Sequence, residues 1–330
     1  MTTIKKVAQR AGVSTATVSR VINGSSKVLF HTVDAVEQAM KEVGYTVSGN
    51  QRLTINQSSD TVGLVISKLN SPFYGLLSQG VEKVVKKHNK MMLVINTNYI
   101  AEEEINAIEF LLSKGCKNII LHSKGLSDSQ LIEYAKKIPT LTIVNRYIKQ
   151  IEKQCVWLDN SEGTYLATLH LIEQGHTRIA YISCEAEIDD KTLRFDGYCR
   201  ALESAGLTVN PDWVEEAPFG DNGGVIAASN LLNKGLPVTA IVSYNDYFAA
   251  AAMQVFKSHD IDIPNEISIV GFDDILPQCY FSPALTTIRN PIESMASNAT
   301  LISLNGFSSE ISREFHPILI KRDSVKRVES

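Results

Sequence analysis

Short apolar runs alternate with amphipathic helical patterns through most of the chain, beginning near residue 61. The runs are rich in β-branched residues, and the segments between them place apolar side chains on one helical face, as Leu77, Val81 and Val84 do. This alternation is typical of parallel sheets that helices cover on both faces. Because roughly 270 residues are too many for one such sheet, we expect an α/β body of two doubly wound lobes with a cleft between them. The predicted strands are residues 62–67, 92–96, 118–122, 140–145, 155–158, 178–183, 240–243 and 267–272.

The rest of the sequence excludes several other classes of protein. No run approaches the roughly 18 consecutive apolar residues of a membrane span, and the first residues lack the apolar stretch of a secretory signal. The five cysteines are widely separated and form no C-x-x-C motif, so they predict neither a zinc site nor a disulfide framework. We therefore expect a cytoplasmic protein with reduced, mostly buried thiols, no metal, no cofactor and no membrane partner.

The N-terminal segment is basic although the whole chain is acidic. The formal net charge is -4, but residues 1–58 carry seven basic and three acidic side chains, and the first 33 positions hold no acid. A basic end on an acidic protein is typical of a nucleic-acid-binding domain attached to a larger body. An ordinary solvated surface would give the same count, so charge alone leaves both interpretations open.

Residues 4–44 predict three short helices. Gly12, between the first two, can adopt a positive φ and turn the chain, and Ser14 can cap the second helix. Gly44 stands where the third helix should stop. This is a helix-turn-helix pattern whose apolar faces can close a small core. Those faces carry Val7, Ala8 and Ala11 in the first helix, Val18, Val21 and Ile22 in the second, and Val33, Val36, Met40 and Val43 in the third.

The second helix would expose a face suited to the major groove of DNA. Once its valines point inward, the exposed positions are Thr15, Ala16, Ser19 and Arg20. Arg20 could present its guanidinium to guanine, and the short Thr15 and Ala16 could approach base edges or a thymine methyl. The alternative is a generic helical hairpin in which Arg20 contacts only solvent.

Polar residues gather where the predicted strands end, and the common nucleotide, zinc and serine-hydrolase motifs are missing. Ligands of open parallel sheets bind at these strand ends. Amides, carboxylates and a guanidinium suit the hydroxyl groups of a sugar, although a purine would use similar groups. Each polar pair could equally close a turn or cap a helix, and Asp189 and Asp190 predict only a helix start. The pairs are Lys68 and Asn70, Asn145 and Arg146, Asp159 and Asn160, Asn245 and Asp246, and Asp273 and Asp274, with Phe73, Tyr74, Phe219 and Trp157 as candidates to cover a sugar ring.

Several motifs, in order along the chain, resemble the lactose and galactose repressor family of bacterial transcription regulators. They are IKKVAQRAGVSTATVSRVING, DTVGLVISKLNSPFYGLLSQGVE, LHLIEQGHTRIAYIS, SYNDYFAAAAM and EISIVGFDDILPQCYFSPALTTIRNP, and they cover essentially the whole chain. Within the family, LTIVNR and EISIVGFDD are most similar to the galactose repressors. The resemblance implies a small all-α head, a hinge helix, and a body like periplasmic sugar-binding proteins in which three strands cross between the lobes. We expect the head at residues 1–46, the hinge at 47–60 and the body at 61–330.

The resemblance also implies residue roles, carried over position by position. Arg194 and Asp273 would be the principal sugar anchors through charge-assisted hydrogen bonds. The family often has an acid where Asn145 stands, so one anionic acceptor is missing here. The implied effector pocket comprises Leu69, Phe73, Asn145, Arg194, Asn245 and Asp273, with Phe219, Asn222 and Ile292 nearby, and the implied DNA-binding residues are Thr3, Ser14, Thr15, Ala16, Thr17, Ser19, Arg20, Asn23, Leu53, Thr54 and Ile55.

The hinge departs from the family pattern. Family members usually have a Leu that wedges into the central minor groove from each hinge helix, and here Thr54 occupies that position. Threonine is a poor helix former, whereas Leu53 and Ile55 lie about 100° to either side of it around a helix. A small rotation could bring either one into the groove. The alternative is that no hinge helix forms and the heads hang on a flexible tether.

These observations predict a dimeric, sugar-responsive transcriptional repressor that is released from a pseudo-palindromic operator by a small sugar, with D-galactose the first choice. Two helix-turn-helix heads fit two half-sites. The last ten residues lack the leucine heptad that lactose-repressor-type tetramers share, so a dimer is expected rather than a tetramer. A transport-type sugar-binding protein and an enzyme of sugar metabolism are the alternatives. The basic head and the missing signal disfavour the first, and the missing catalytic motifs disfavour the second.

Overall fold

The computed structural model describes residues 4–22, 30–45, 60–220, 222–235, 237–277, 281–308 and 310–328. The chain divides into two compact units, Met1–Asn56 and Gln57–Ser330, which we call the head and the body. The predicted hinge, residues 47–60 with Leu53, Thr54 and Ile55, lies outside the described residues except for Asp60, and so do Thr3, Asn23 and Cys279.

In the described part of the head, three helices pack together: α1 (Ile4–Ala11), α2 (Thr15–Ile22) and α3 (Phe30–Glu42). Val7, Val18 and Val36 are fully buried in their shared core. Gly12 has a φ of 67° in the turn between α1 and α2. The Ser14 hydroxyl accepts a hydrogen bond from the Thr17 amide at 3.0 Å, which caps α2. The predicted helix-turn-helix is confirmed.

Strands and helices alternate through the body. Two parallel strands need a crossover, usually a helix, that returns the chain to the end of the sheet at which the first strand began. Two short 3₁₀ segments, Lys149–Gln154 and Pro211–Trp213, precede the strands that follow them. In chain order the elements are β1 (Thr61–Ile66), α4 (Pro72–Lys87), β2 (Met91–Asn96), α5 (Ala101–Ser113), β3 (Asn118–Leu121), α6 (Asp128–Lys137), β4 (Leu141–Val144), β5 (Cys155–Leu158), α7 (Asn160–Glu173), β6 (Ile179–Cys184), α8 (Asp189–Ser204), β7 (Val214–Ala217), α9 (Gly223–Asn233), β8 (Ala240–Ser243), α10 (Asp246–Ser258), β9 (Ser268–Asp273), β10 (Thr286–Arg289), α11 (Ile292–Asn305), β11 (Glu314–Phe315) and β12 (Ile318–Ile320).

Two six-stranded sheets of described residues divide the body into two lobes. The strand order is β11-β5-β4-β3-β1-β2 in lobe 1 and β12-β10-β9-β8-β6-β7 in lobe 2. Neighbouring strands are parallel, except that β12 runs antiparallel to β10. In lobe 1, α4 and α11 pack on one face and α5 and α6 on the other; in lobe 2, α7 and α8 are opposite α9 and α10. The two predicted doubly wound lobes are confirmed.

Within the described residues the chain passes from one sheet to the other three times, as the resemblance implies. The connections follow β5 at Asp159, follow β10 at Asn290 and Pro291, and join β11 to β12 at His316 and Pro317. Each lobe is therefore built from separate stretches of the chain. Rotation about these connections is the motion by which such lobes can open and close.

The eight predicted strands are all present, each within one residue of its predicted ends. The sequence does not predict β7, β10, β11 or β12. Glu215 and Glu216 make the edge strand β7 polar, and Thr286 and Thr287 interrupt the apolar run of β10. The strands β11 and β12 have only two and three residues, which is too short to show a pattern. Among the described residues, no helix combines the length and the apolar character that crossing a membrane requires.

Candidate functional site

A cavity of about 410 Å³ lies between the two lobes, at the carboxyl ends of their parallel strands. Its volume is in the lower part of the range for small-molecule sites. The loops after β1 to β4 supply the lobe 1 side, and the loops after β6 to β9 supply the lobe 2 side. Of the residues predicted for the effector pocket, the structure brings together Phe73, Asn145, Arg194, Phe219, Asn245 and Asp273 in the cavity wall.

Three other residues that the resemblance places in or near the pocket do not line this cavity. Leu69 follows β1 but is 64% exposed, Asn222 is exposed just before α9, and Ile292 is buried in the hydrophobic core at the start of α11. Trp157 instead contacts Tyr147, with the ring centroids 4.6 Å apart. Solvent or the apolar core surrounds these side chains, because a position near a strand end does not by itself decide where a side chain packs.

Arg194 is a buried cation that α8 brings into the cavity wall. Its Nε donates to Asn160 Oδ1 at 2.9 Å, its Nη1 to the Tyr244 carbonyl at 2.6 Å and its Nη2 to Asp273 Oδ1 at 3.3 Å. The guanidinium also lies 3.7 Å from the ring centroid of Phe272. Asp273 therefore balances the charge of Arg194 within the protein, and Asn160 links it to the first connection between the lobes.

A second buried ion pair, which the sequence does not predict, lines the cavity. Lys124 Nζ, from the loop after β3, lies 2.5 Å from Asp190 Oδ1 in the first turn of α8, and the Tyr244 hydroxyl donates to Asp190 Oδ2 at 3.2 Å. Burial alone would raise the pKa of Asp190, but Lys124 and Arg194 outweigh it and hold that pKa well below its usual value. Asp190 lies in the first turn of α8, as the sequence predicts. Because a helix start explains an acid at this position, the sequence does not indicate that Asp190 also lines the cavity.

His122 supplies a neutral imidazole to the lobe 1 wall, immediately after β3. Complete burial, aided by the nearby charge of Lys124, lowers the pKa of His122 to about 3. The Tyr74 hydroxyl is 3.4 Å from His122 Nδ1. Its position at the end of the predicted strand 118–122 is the signal that could have identified it.

Two buried polar atoms in the cavity residues are left without partners. Among the described residues, His122 Nε2 and Asn145 Oδ1 make no hydrogen bond. Asn145 and Asp273 also have positive φ values, 61° and 103°, and backbone held in such conformations concentrates at binding sites. An unpaired buried polar atom costs about 1 to 3 kcal/mol, so these atoms mark where hydroxyl groups of a ligand would bond.

The outer face of α2 presents the residues that are predicted from the sequence to contact DNA. Val18 and Val21 are buried against the other two helices, so the opposite side of this short helix faces away from the core. In α1, the guanidinium of Arg10 pairs with Glu42 of α3 and so ties the two helices together. The predicted contact residues within the described head are Ser14, Thr15, Ala16 and Arg20, which are exposed, and Thr17 and Ser19, which are partly exposed.

Comparison with known proteins identifies relatives of both units. Residues 3–48 match the family described as bacterial regulatory proteins, lacI family, and residues 59–304 match periplasmic binding proteins and sugar binding domain of LacI family. The HTH-type transcriptional regulator GalR of Escherichia coli K12 is 40% identical over 329 residues, which cover 98% of this chain and 96% of GalR. GalS of Salmonella typhimurium LT2 is 39% identical, over 98% of this chain and 97% of GalS. The structure of the transcriptional regulator CelR with cellobiose is 28% identical, with a TM-score of 0.70 over 98% of this chain and 100% of CelR.

Proposed function

Because this chain belongs to the LacI family of bacterial regulatory proteins, we propose that its effector is a small neutral sugar, with D-galactose the first choice, which binds between the lobes and releases operator DNA. Its family and its relatives make it a sugar-responsive, DNA-binding transcriptional repressor rather than an enzyme. A homodimer would present two heads to a pseudo-palindromic operator. Binding to operator DNA would place the protein in the cytoplasm.

The proposal of a neutral ligand rests on the charge balance of the cavity. Its two buried cations, Arg194 and Lys124, already pair with Asp273 and Asp190. An anionic ligand would have to displace a buried carboxylate, and a cationic one a buried base, which is costly in a site of low dielectric. A neutral ligand can instead bond to oxygen and nitrogen atoms that remain free, such as Asn145 Oδ1. Hydroxyl groups both donate and accept, so a hexose fits this mixture.

Galactose is the first choice because GalR and GalS are 40% and 39% identical over 98% of this chain, whereas the purine repressors named PurR are 31% to 32% identical over 99% of it. The sugar would contact residues of both lobes and thereby favour one lobe arrangement over another. A ligand changes operator affinity only through such a difference in binding, typically about 1 to 3 kcal/mol. We assign the principal anchors to Arg194 and Asp273, with Asn145 and Asn245 as further contacts and Phe73 and Phe219 as apolar walls.

Calorimetry with D-galactose, D-glucose and a purine base tests the ligand, and operator binding with and without each compound tests the coupling. We expect galactose to bind and to weaken operator binding. Asp273→Asn should lose most of the galactose affinity, whereas Glu203→Gln, on the far end of α8, should keep it. Tight purine binding without hexose binding would replace this proposal with a purine co-repressor.

The hinge residues carry a separate proposal, that Leu53 or Ile55 takes the wedge position that Thr54 cannot fill. DNA bending and galactose response of Leu53→Ala, Thr54→Leu and Ile55→Ala test it. Unchanged bending in both alanine variants would contradict the wedge. Tighter and more strongly bent binding by Thr54→Leu would show that the family geometry is present but weakened.

A further inference from the structure

Two ion pairs join lobe 1 to lobe 2 beside the cavity. Lys124 Nζ lies 2.5 Å from Asp190 Oδ1, and Arg146 Nε lies 2.7 Å from Asp189 Oδ2. Lys124 and Arg146 follow strands β3 and β4 of lobe 1, and the two aspartates are the first residues of α8 in lobe 2. We call these four residues the clasp.

The lobe 1 half of the clasp is held rigidly by its own lobe. The buried carboxylate of Glu104, in α5, accepts hydrogen bonds from the backbone amides of Lys124 and Gly125, both at 3.0 Å. The Arg146 guanidinium donates to the Leu126 carbonyl and to Asp128 Oδ1, both at 2.8 Å. Lobe 1 therefore positions the backbone at Lys124 and the guanidinium of Arg146.

The clasp pairs differ in burial, which decides what each contributes. The side chains of Lys124 and Asp190 are 10% and 7% exposed, so water screens their attraction little. Asp189 is 55% exposed, so salt should weaken its pair with Arg146. A helix start accounts for acids in the first turn of α8, but it does not account for two cations of the other lobe facing them.

An aromatic contact adds to the clasp. Tyr99, after β2 in lobe 1, meets Phe219, after β7 in lobe 2, with ring centroids 5.5 Å apart in an edge-to-face arrangement. Tyr99 has a φ of 65°, which is unusual for an aromatic residue. The lobes thus touch through charged and aromatic side chains that belong to the loops of the cavity wall.

We propose that the clasp sets the balance between closed and open lobes in the ligand-free protein, and through it both sugar affinity and operator affinity. The inference deepens the proposed function and rests on it for the identity of the sugar and for the direction of the effect on operator binding. A ligand between the lobes and the clasp both bridge the lobes, so both favour the closed arrangement. Apparent ligand affinity falls with the fraction of closed molecules. A weaker clasp should therefore weaken sugar binding and, by reciprocity, tighten operator binding in the absence of sugar.

The decisive variant is Asp189→Asn, because Asp189 does not line the cavity and its loss removes no ligand contact. Asp190→Asn tests the buried pair, although Asp190 lines the cavity. The matched control is Glu216→Gln, which breaks the 2.9 Å pair with Lys191, a residue of the same helix whose partner lies in the same lobe.

Hydrogen exchange on the full-length, ligand-free protein is the first measurement. In Asp189→Asn we expect faster exchange in residues 122–128 of lobe 1 and 188–196 of lobe 2, with unchanged exchange in the central strands of both sheets. The control should match the wild type. Exchange that stays at the wild-type rate in both Asp189→Asn and Asp190→Asn would overturn the proposal, whatever sugar the protein binds.

Calorimetry with D-galactose at low and high NaCl is the second measurement. A neutral sugar has no charge to screen, so weaker binding at high salt would report the clasp, and that salt dependence should shrink in Asp189→Asn. We expect Asp189→Asn to bind galactose roughly two- to fivefold more weakly, the range of partly exposed ion pairs. Equal affinity in Asp189→Asn and wild type would count against the clasp. If the wild type failed to bind galactose, the proposed effector would be wrong while the exchange result still decided the clasp.

Discussion

At the scale of single residues, Asp246 shows how strongly burial changes the chemistry of one side chain. It is fully buried at the start of α10, where Oδ1 accepts from the Thr287 hydroxyl at 2.6 Å and Oδ2 from the Ile275 amide at 3.1 Å. Burial raises the pKa of Asp246 to about 7, and the Thr287 hydrogen bond offsets this only in part. The folded protein therefore holds a proton that the unfolded chain releases near pH 4.

Asp246→Asn should remove this pH dependence. Because the folded pKa is raised, the stabilisation is complete below the unfolded pKa and is lost as the pH rises through about 7. Asparagine can donate to Thr287 and accept from Ile275 without ionising. Between pH 5 and pH 8 the wild type should therefore lose ~2.5 kcal/mol of unfolding free energy that the variant does not lose. Urea titrations at both pH values measure this. Asp260→Asn, at an exposed position, is the control, and an equal response of the two variants would contradict the prediction.

At the scale of elements, the approach of α8 to α7 depends on Gly197. A Cβ at this position would overlap the Ser161 carbonyl oxygen and lie 2.9 Å from the Tyr165 backbone nitrogen. Backbone atoms cannot move aside as a flexible side chain can. Gly197→Ala should therefore push α8 away from α7 and destabilise the body by about 1 to 3 kcal/mol, measured by urea unfolding.

Gly75→Ala in α4 is the matched control for Gly197→Ala. A Cβ at Gly75 would meet nothing within 4 Å, and alanine favours helix, so this variant should be as stable as wild type or more so. Since α8 carries Arg194 and Asp190, Gly197→Ala should also weaken galactose binding. Normal stability of Gly197→Ala would show that the two helices can separate at little cost.

The exposed face of α2 supports a prediction about DNA. Arg20→Ala should cost about 1 to 3 kcal/mol of operator binding and relax specificity at one position of each half-site. Lys5→Ala, in α1, should instead weaken operator and random DNA alike and reduce the salt dependence of binding. Binding of both DNAs across a salt series separates these effects. An Arg20→Ala protein with undiminished preference for operator would rule out base contact by Arg20.

The elements themselves were largely predictable, because long apolar runs and helical periodicity are local properties. The helices of the head and the strands β1 to β6, β8 and β9 follow from such patterns. The edge strand β7 and the short β11 and β12 exist through pairing with neighbours that are distant in sequence. The same reason hid the Lys124–Asp190 pair, since its two residues are 66 positions apart and meet only when the lobes approach.

At the scale of the whole molecule, the head and the body are separate compact units, and only the body holds the proposed sugar site. Galactose at about 100 times its Kd should stabilise the body by about 2.7 kcal/mol. In scanning calorimetry without DNA, we expect the sugar to raise the body transition and to leave the head transition in place. Val36→Ala, which thins the core of the head, should lower only the head transition. A single unfolding transition whose temperature rises with sugar would contradict the independent unfolding of the head and the body.

Cavity residues were predicted correctly where they lie at the ends of strands that the sequence predicts. They were predicted wrongly where the packing of the side chain decides whether it faces the cavity. Asn145, Asn245 and Asp273 follow strands that the pattern predicts, and all three line the cavity. Leu69 and Ile292, which the resemblance places in or near the pocket, lie instead in solvent and in the apolar core. The resemblance supplied Arg194, which no local pattern distinguishes from other arginines of an amphipathic helix.

The three connections between the lobes also constrain how the protein is made. A nascent chain leaves the ribosome from its N-terminus, so the head is complete before the first strand of the body emerges. Five strands of lobe 1, β1 to β5, emerge first. The helix α11 cannot cover them until the strands β6 to β10 of lobe 2 have been synthesised, because Ile292, Met295 and Ile302 of α11 pack in the core of lobe 1. At about 5 to 20 residues per second, the roughly 130 residues between β5 and α11 take about 7 to 26 seconds. During translation the part of this apolar sheet face that α4 does not cover therefore stays exposed until α11 is made, and we expect a ribosome-associated chaperone to bind there.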